Sequence, residues 1–376
     1  MSLALFFLLQ PWWAGSMQAQ PPVKNAVAAE APLPLTPELR TAAVKGIATE
    51  FDQRYVFPDI ASQARTALEK KLEEKGYDAC ATGQELAEAM TTDLLAVCKD
   101  KHVRVRCSAE KMNANMGRRP PSSEDMKRMR EQMRAYNGGF VKVERLPGNI
   151  GYLRLDGFVD PSAGKEPLQA AMTFLKNTEA LIIDLRYNGG GTPLMIQDLC
   201  SYFFNEEKVH LNSMYFREGN RREEFWTHEK VDGPRYLNKP VYLLTSAFTF
   251  SGAEECAYNF QTQKRGIIVG ETTGGGAHPG GMFSVADHFA IFIPTGRAIN
   301  PVTGTNWEGT GVKPDVAVSA DQALEKAQAL AVEQLMSSKD GTLKKRTEED
   351  LAASKRQAAR VNERRQATLK ERAGKK

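Results

Sequence analysis

Ser251, in the run Phe248-Thr249-Phe250-Ser251-Gly252-Ala253-Glu254-Glu255, is the residue whose surroundings best suit a nucleophile. The apolar run Pro240 to Thr245 ahead of it reads as a buried strand. Ala253, Cys256, Ala257 and Phe260 after it fall at helical spacing. A serine where a strand hands over to a helix has its hydroxyl at the positive end of the helix dipole. The same residues also fit a capping box, Ser251 with Glu254 three positions on, which starts a helix and does no chemistry. Three other segments and one histidine favour the chemical reading.

In Leu181-Ile182-Ile183-Asp184-Leu185-Arg186-Tyr187-Asn188-Gly189-Gly190-Gly191-Thr192 an apolar β-branched run ends in a glycine turn before a helix-like stretch. Glycines there allow backbone amides to approach an anion or a developing oxyanion closely. A tight turn without a ligand is the plainer use of such a cluster. The spacing does not fit a dinucleotide fingerprint, and no Gly-Lys-Ser/Thr follows, so nucleotide binding is excluded. A second strand opens into a glycine-rich loop at Val269-Gly270-Glu271-Thr272-Thr273-Gly274-Gly275-Gly276-Ala277-His278-Pro279-Gly280-Gly281. A third segment is Glu308-Gly309-Thr310-Gly311-Val312-Lys313-Pro314-Asp315, and His102 stands at the start of an alternating strand in Lys99-Asp100-Lys101-His102-Val103-Arg104-Val105.

In this order these segments resemble the C-terminal-processing, or tail-specific, serine peptidases. The likeness is strongest to the branch with interphotoreceptor retinoid-binding protein and the tricorn protease core, and it runs from about residue 35 to about residue 335. The resemblance implies that Ser251 is the nucleophile. In the processing-peptidase branch a lysine in the glycine loop activates the serine. The matching position here is Gly276, and the loop from Gly270 to Gly281 has no lysine. The tricorn-like branch uses a histidine and a glutamate instead, and His102 and Glu308 stand at the matching positions. A serine hydroxyl needs such a base, oriented by a third group. His278, inside the glycine loop, competes with His102 for that role. His210, His228 and His288 read as ordinary loop or surface histidines, and Glu271 as a structural residue bonded to amides of its own loop. The amide of Gly252 is one expected oxyanion donor, from its place just after the nucleophile. By resemblance, Gly189 or Gly190 supplies the second.

These residues need a frame. The resemblance implies an α/β core of crotonase-like or ClpP-like type, with helices packed on a mixed sheet, preceded by a small helical domain. The alternation of strand and helix through Phe260 agrees, and the later strands near Met282 to Phe292 make the sheet mixed. Residues 36–100 carry three helical patterns, and the core spans 101–336. A closing helix runs from about Asp321 to Met336, and another helix is expected around Pro167 to Lys176. Within the core, the polar connector 108–148 holds a helix capped at Ser123 and is too short for a PDZ domain, which needs roughly 80 residues or more.

The chain has 376 residues and a net charge of +4, unevenly placed: residues 337–376 carry about +7 and the rest about −3. With no base-reading motif beside it, this basic tail reads as a solvated helix or disordered segment, and nucleic acid is not an expected partner. Residues 1–19 hold an apolar run of signal-peptide length ending in small residues. It lacks a positive flank and is too short to span a membrane comfortably. With a Pro/Ala-rich linker over 20–35, this predicts export to the periplasm or cell envelope. The five cysteines, Cys80, Cys98, Cys107, Cys200 and Cys256, show no metal spacing. No metal or cofactor is therefore expected, while pairing among Cys80, Cys98 and Cys107 stays open. The sequence thus predicts a serine peptidase acting on peptides, protein C-terminal regions or unfolded chains. The alternative is a non-catalytic carrier of apolar ligands on the same fold.

Overall fold

The computed structural model of the chain describes residues 32–373 apart from 115, 118–121 and 206. The apolar segment 1–19 and most of the linker 20–35 lie outside the described residues. Three helices come first: α1 (Pro37–Arg54), α2 (Pro58–Glu73) and α3 (Gly83–Cys98). Thr36 and Thr82 cap α1 and α3 by accepting from the amides of Leu39 and Glu85, each at 3.2 Å. The short strand β1 (Arg104–Cys107) leads to the connector helix α4 (Ser123–Ala135). Ser122, one residue earlier than expected, caps α4 by accepting from the Asp125 amide.

From there strands and helices alternate: β2 (Phe140–Leu146), β3 (Ile150–Leu155), α5 (Pro161–Leu175), β4 (Ala180–Asp184), α6 (Pro193–Ser201), β5 (His210–Phe216), β6 (Arg221–Trp226), β7 (Val241–Thr245), α7 (Gly252–Thr262) and β8 (Ile267–Gly270). The strands β9 (Gly280–Val285), β10 (Phe289–Pro294), β11 (Gly296–Ile299) and β12 (Val316–Ala317) precede α8 (Ala323–Met336) and α9 (Gly341–Ala373).

The main sheet has the order β12-β8-β7-β4-β3-β2, and every pairing in it is parallel except β3 with β2. Side chains alternate across it. Leu153, Leu181, Ile183, Leu243 and Ile268 face a core shared with α5, α6 and α7. Tyr152, Ile182, Tyr242, Leu244 and Val269 face Ala323, Ala327, Ala331 and Leu335 of α8, one stripe at intervals of four residues. Each fully buried Leu or Ile in such a core contributes about 1.5–3 kcal/mol.

Two sequence expectations need correction. The sheet is mixed because of β2, which forms the end of the stretch taken for a polar connector, and not because of the later strands. Those strands, β9 and β10, instead join β1 in a separate antiparallel sheet. Phe283, Val285, Phe289, Ile291 and Ile293 of that sheet complete the core of α1–α3. Also, α5 starts at Pro161, behind the cap Asp160, several residues before the expected start.

No described helix is long and apolar enough to cross a membrane. None of the five cysteines is in a disulfide among the described residues. Residues 341–373 of the basic tail are helical: α9 docks through Asp350, which accepts from the amides of Gly148 and Asn149 and from Arg145, and residues 359–369 are exposed.

Candidate active site

Three loops leave the carboxyl ends of adjacent parallel strands β4, β7 and β8, the usual place for a site in such sheets. Ser251 closes the second of them at the N-terminus of α7. Its backbone holds φ +53° and ψ −121°, a conformation a non-glycine residue adopts only under constraint. The constraint is visible on both sides. Thr249 donates its hydroxyl to the Leu185 carbonyl at 2.9 Å, and the Phe250 amide reaches the Asn188 carbonyl at 3.2 Å. Behind Ser251, its own amide donates to Glu254 Oε2 at 2.8 Å.

Glu254 does more than cap the helix. Its carboxylate also accepts from Thr273 Oγ1 at 2.5 Å, from the Gly275 amide at 2.6 Å and from the Gly276 amide at 2.8 Å. One buried side chain therefore fastens the glycine loop after β8 to the backbone of the candidate nucleophile. Burial pushes its carboxyl pKa up, against the pull of these bonds.

The loop after β4 lies directly against Ser251. Gly190, at φ +112°, has no room for a side chain, because a Cβ there would sit 2.9 Å from Ser251 Cβ and from the Gly252 nitrogen. Its amide donates to Asn188 Oδ1 at 2.8 Å, and Asn188 Nδ2 in turn anchors on the Leu155 carbonyl at 2.9 Å. Of the two glycines expected to provide the second oxyanion donor, Gly190 is thus already engaged. The amides of Gly189 and Gly252 donate to no acceptor among the described residues.

His102 is nine-tenths buried, between the rings of Phe250 at 4.7 Å and Phe292 at 5.7 Å. Phe250 is the neighbour of Ser251, so this packing brings the histidine to the nucleophile's loop. The place of the family lysine, Gly276, is closed to any side chain: a Cβ there would meet Phe250 Cζ at 2.3 Å and His102 Cε1 at 2.6 Å. The imidazole of His102 fills the space that a side chain on the glycine loop would otherwise take. A lysine does reach this loop from outside, since Lys101 donates to the Gly274 carbonyl at 2.5 Å.

The carboxylate nearest His102 is Asp100, not Glu308. Asp100 Oδ1 lies 3.7 Å from His102 Nδ1 and accepts from the His102 amide at 3.1 Å. Its other oxygen pairs with His278 Nδ1 at 2.6 Å and accepts from the Tyr55 hydroxyl at 3.3 Å. Burial alone would raise the Asp100 pKa, but the neighbouring His102 and His278 outweigh it and hold it at about 2. Glu308, expected to orient His102, accepts from the Ala277 amide at 2.5 Å and stands 3.5 Å from His278 Nδ1. Burial first, and then the charge of Asp100, push its pKa up. His278 is buried with Nδ1 committed to this pair of carboxylates.

Of the remaining histidines, His210 stacks on Trp226, His228 pairs with Asp198, and His288 meets the Ser108 carbonyl. Glu271 is structural, accepting from the amides of Ala247 and Ala320, which lie in neighbouring loops rather than its own.

Residues 149–318 match the model of peptidase family S41, and residues 29–142 match the N-terminal domain of Peptidase_S41 in eukaryotic IRBP. The tail-specific protease of Haemophilus influenzae is 28% identical over 138 residues, which is 36% of this chain and 19% of that protein. The chloroplastic C-terminal processing peptidase of Tetradesmus obliquus is 25% identical over 181 residues, 46% of this chain and 36% of that one. The crystal structure of a candidate peptidase from Parabacteroides merdae has the same fold, with a TM-score of 0.56 at 20% identity over 79% of this chain and 97% of that one. The chain belongs to peptidase family S41. It spans about a fifth of the length of the first of the two curated relatives and about a third of the second.

Proposed function

We propose that this chain is a serine-type peptidase in which Ser251 is the nucleophile, His102 the general base, and Asp100 with Glu308 the groups that orient and balance the base. The observation that carries the reading is the constrained backbone of Ser251, pressed against Gly190 and tied through Glu254 to the loop that cradles His102. Strain of this kind is kept where geometry serves chemistry.

In this reading the Ser251 Oγ attacks a scissile carbonyl while its proton passes to His102. The carbonyl oxygen becomes an oxyanion facing the unengaged amides of Gly252 and Gly189. His102 then returns the proton to the leaving amine, and the acyl-enzyme formed on Ser251 is hydrolysed by water with His102 again as base. Each oxyanion donor is worth about 3 kcal/mol in comparable acyl transfers.

The names of the relatives, tail-specific and C-terminal processing, together with the family match, support protein C-terminal regions or unfolded chains as substrates. The apolar run at 1–19 supports export to the cell envelope.

The test is turnover of a quenched-fluorescent unfolded protein by the purified chain and by Ser251→Ala. Hydrolysis by the wild type that disappears in the variant, with circular dichroism unchanged, is the expected result. Equal hydrolysis by both would remove Ser251 from the mechanism.

A further inference from the structure

We propose that Asp100, His278 and Glu308, with His102 as a fourth donor, form a binding site for a divalent transition-metal ion of the Zn²⁺ class, and that the bound ion inhibits the proposed peptidase. The inhibitory half rests on the function proposed above; the binding half does not. One donor atom from each of Asp100, His278 and Glu308 lies within 4.8 Å of the others. His102 brings a second imidazole, with Nδ1 3.7 Å from Asp100 Oδ1.

Two buried atoms in this cluster, His102 Nδ1 and Glu308 Oε1, have no hydrogen-bond partner. A buried nitrogen and a buried carboxylate oxygen without partners, each belonging to a residue beside the Asp100–His278 pair, leave room for an electrophile as the missing partner. Two imidazoles and two carboxylates are the donor set that Zn²⁺ and its first-row neighbours accept.

The distances among Asp100, His278 and Glu308 are compatible, and His102 would have to swing its Nδ1 towards them. Bonds of about 2.1 Å at tetrahedral angles put neighbouring donors about 3.4 Å apart. His278 Nδ1 and Glu308 Oε2 already stand at 3.5 Å, and His278 Nδ1 and Asp100 Oδ2 at 2.6 Å would need to part slightly. That contact holds a proton in the metal-free state. On binding, the Nδ1 proton of His278 leaves to solvent and a metal–nitrogen bond replaces it.

The donors are themselves fixed by neighbours, as ligands in metal sites are. Tyr55 and the His102 amide hold Asp100, the Ala277 amide holds Glu308, and the Phe57 ring packs edge-on to His278 at 5.5 Å. A dication would also compensate two carboxylates buried close together. The slight exposure of His102 and Glu308, 10% and 17% of their side chains, gives an ion a way in from solvent. With the ion on Nδ1 of His102, the imidazole loses electron density, and its other nitrogen accepts the Ser251 proton poorly.

The experiment uses tag-free, chelator-stripped Ser251→Ala protein, so binding is read without any hydrolysis. Titration with Co²⁺ is expected to give visible d–d absorption that saturates at one equivalent and is bleached by Zn²⁺. His278→Ala and Glu308→Gln, each in that background, should weaken Co²⁺ binding by at least about tenfold. Absence of the bands, or bands unchanged in a folded variant, would overturn the site; if circular dichroism shows His278→Ala unfolded, Glu308→Gln decides. In the wild-type chain, Zn²⁺ should slow labelling by a fluorophosphonate, and EDTA should restore it. Zinc that binds without slowing labelling would overturn the inhibitory role.

Discussion

Asp100 accepts from the His102 amide on one carboxylate oxygen and pairs with the His278 imidazole on the other, and through His278 it is linked to a second carboxylate, Glu308. If His102 is the base, the two acids serve it differently. Asp100 stands 3.7 Å from the ring's Nδ1, while Glu308 adds negative charge from farther off. Removal of His102 should therefore be the most severe single change here after Ser251, with His102→Ala lowering kcat by about 10²–10⁴. Asp100→Asn and Glu308→Gln should each lower kcat less than this, and neither should lower it further once His102 is gone, because members of one catalytic unit fail together. Steady-state kinetics of the single and double variants checks this; additive losses would separate the acids from the base. Ser251, His102 and Glu308 could be read from ordered motifs. Asp100 could not, since an aspartate in Lys-Asp-Lys-His carries no local signal and its side-chain partners Tyr55 and His278 lie 45 and 178 residues away. Glu254 was legible only as a cap, because its three bonds to the loop after β8 are invisible to spacing.

The glycine loops are the elements that make these residues a site. Each glycine at a contact point is there because backbone or ring atoms already fill the space of a Cβ. Gly276 is the most informative, since the clash there is with His102 and Phe250. Gly276→Ala should force both rings to move, cost about 1–3 kcal/mol of stability from overpacking, and lower kcat more than it raises KM. A Gly276→Ala protein with wild-type stability and kcat would show that the loop yields freely and that His102 is not positioned by it. The sequence made the loops themselves plain, through strand-then-glycine patterns. Which glycine amides are engaged depends on Asn188 folding back over its own loop and on Glu254 reaching from α7 to the loop after β8, and no periodicity encodes that.

At the scale of the molecule, three cores share one chain, two on the faces of the main sheet and one under α1–α3. The helices α1–α3 close over β9 and β10, which the chain supplies some 180 residues later, so His102 and the glycine loop are brought together by the fold as a whole. The later strands near Met282 to Phe292 were legible, but a strand pattern does not say which sheet the strand joins. On the α5–α7 side of the main sheet, Glu255 on α7 is buried beside the buried Asn212, and burial raises its pKa from 4.5 to about 7. A raised carboxyl pKa in the folded state means that its favourable contribution is complete below about pH 4.5 and is lost as pH rises through 7. The loss amounts to about 3 kcal/mol. Denaturant unfolding should accordingly find Glu255→Gln gaining stability relative to wild type between pH 5 and pH 8, and a difference independent of pH would refute the assignment. The claim on which the rest depends is that Ser251 is an activated nucleophile, and intact-mass spectrometry after fluorophosphonate treatment measures it directly. The account predicts one adduct per chain, mapped to Ser251 and absent from Ser251→Ala. No adduct under conditions that label a control serine hydrolase, or an adduct that persists in Ser251→Ala, would contradict it.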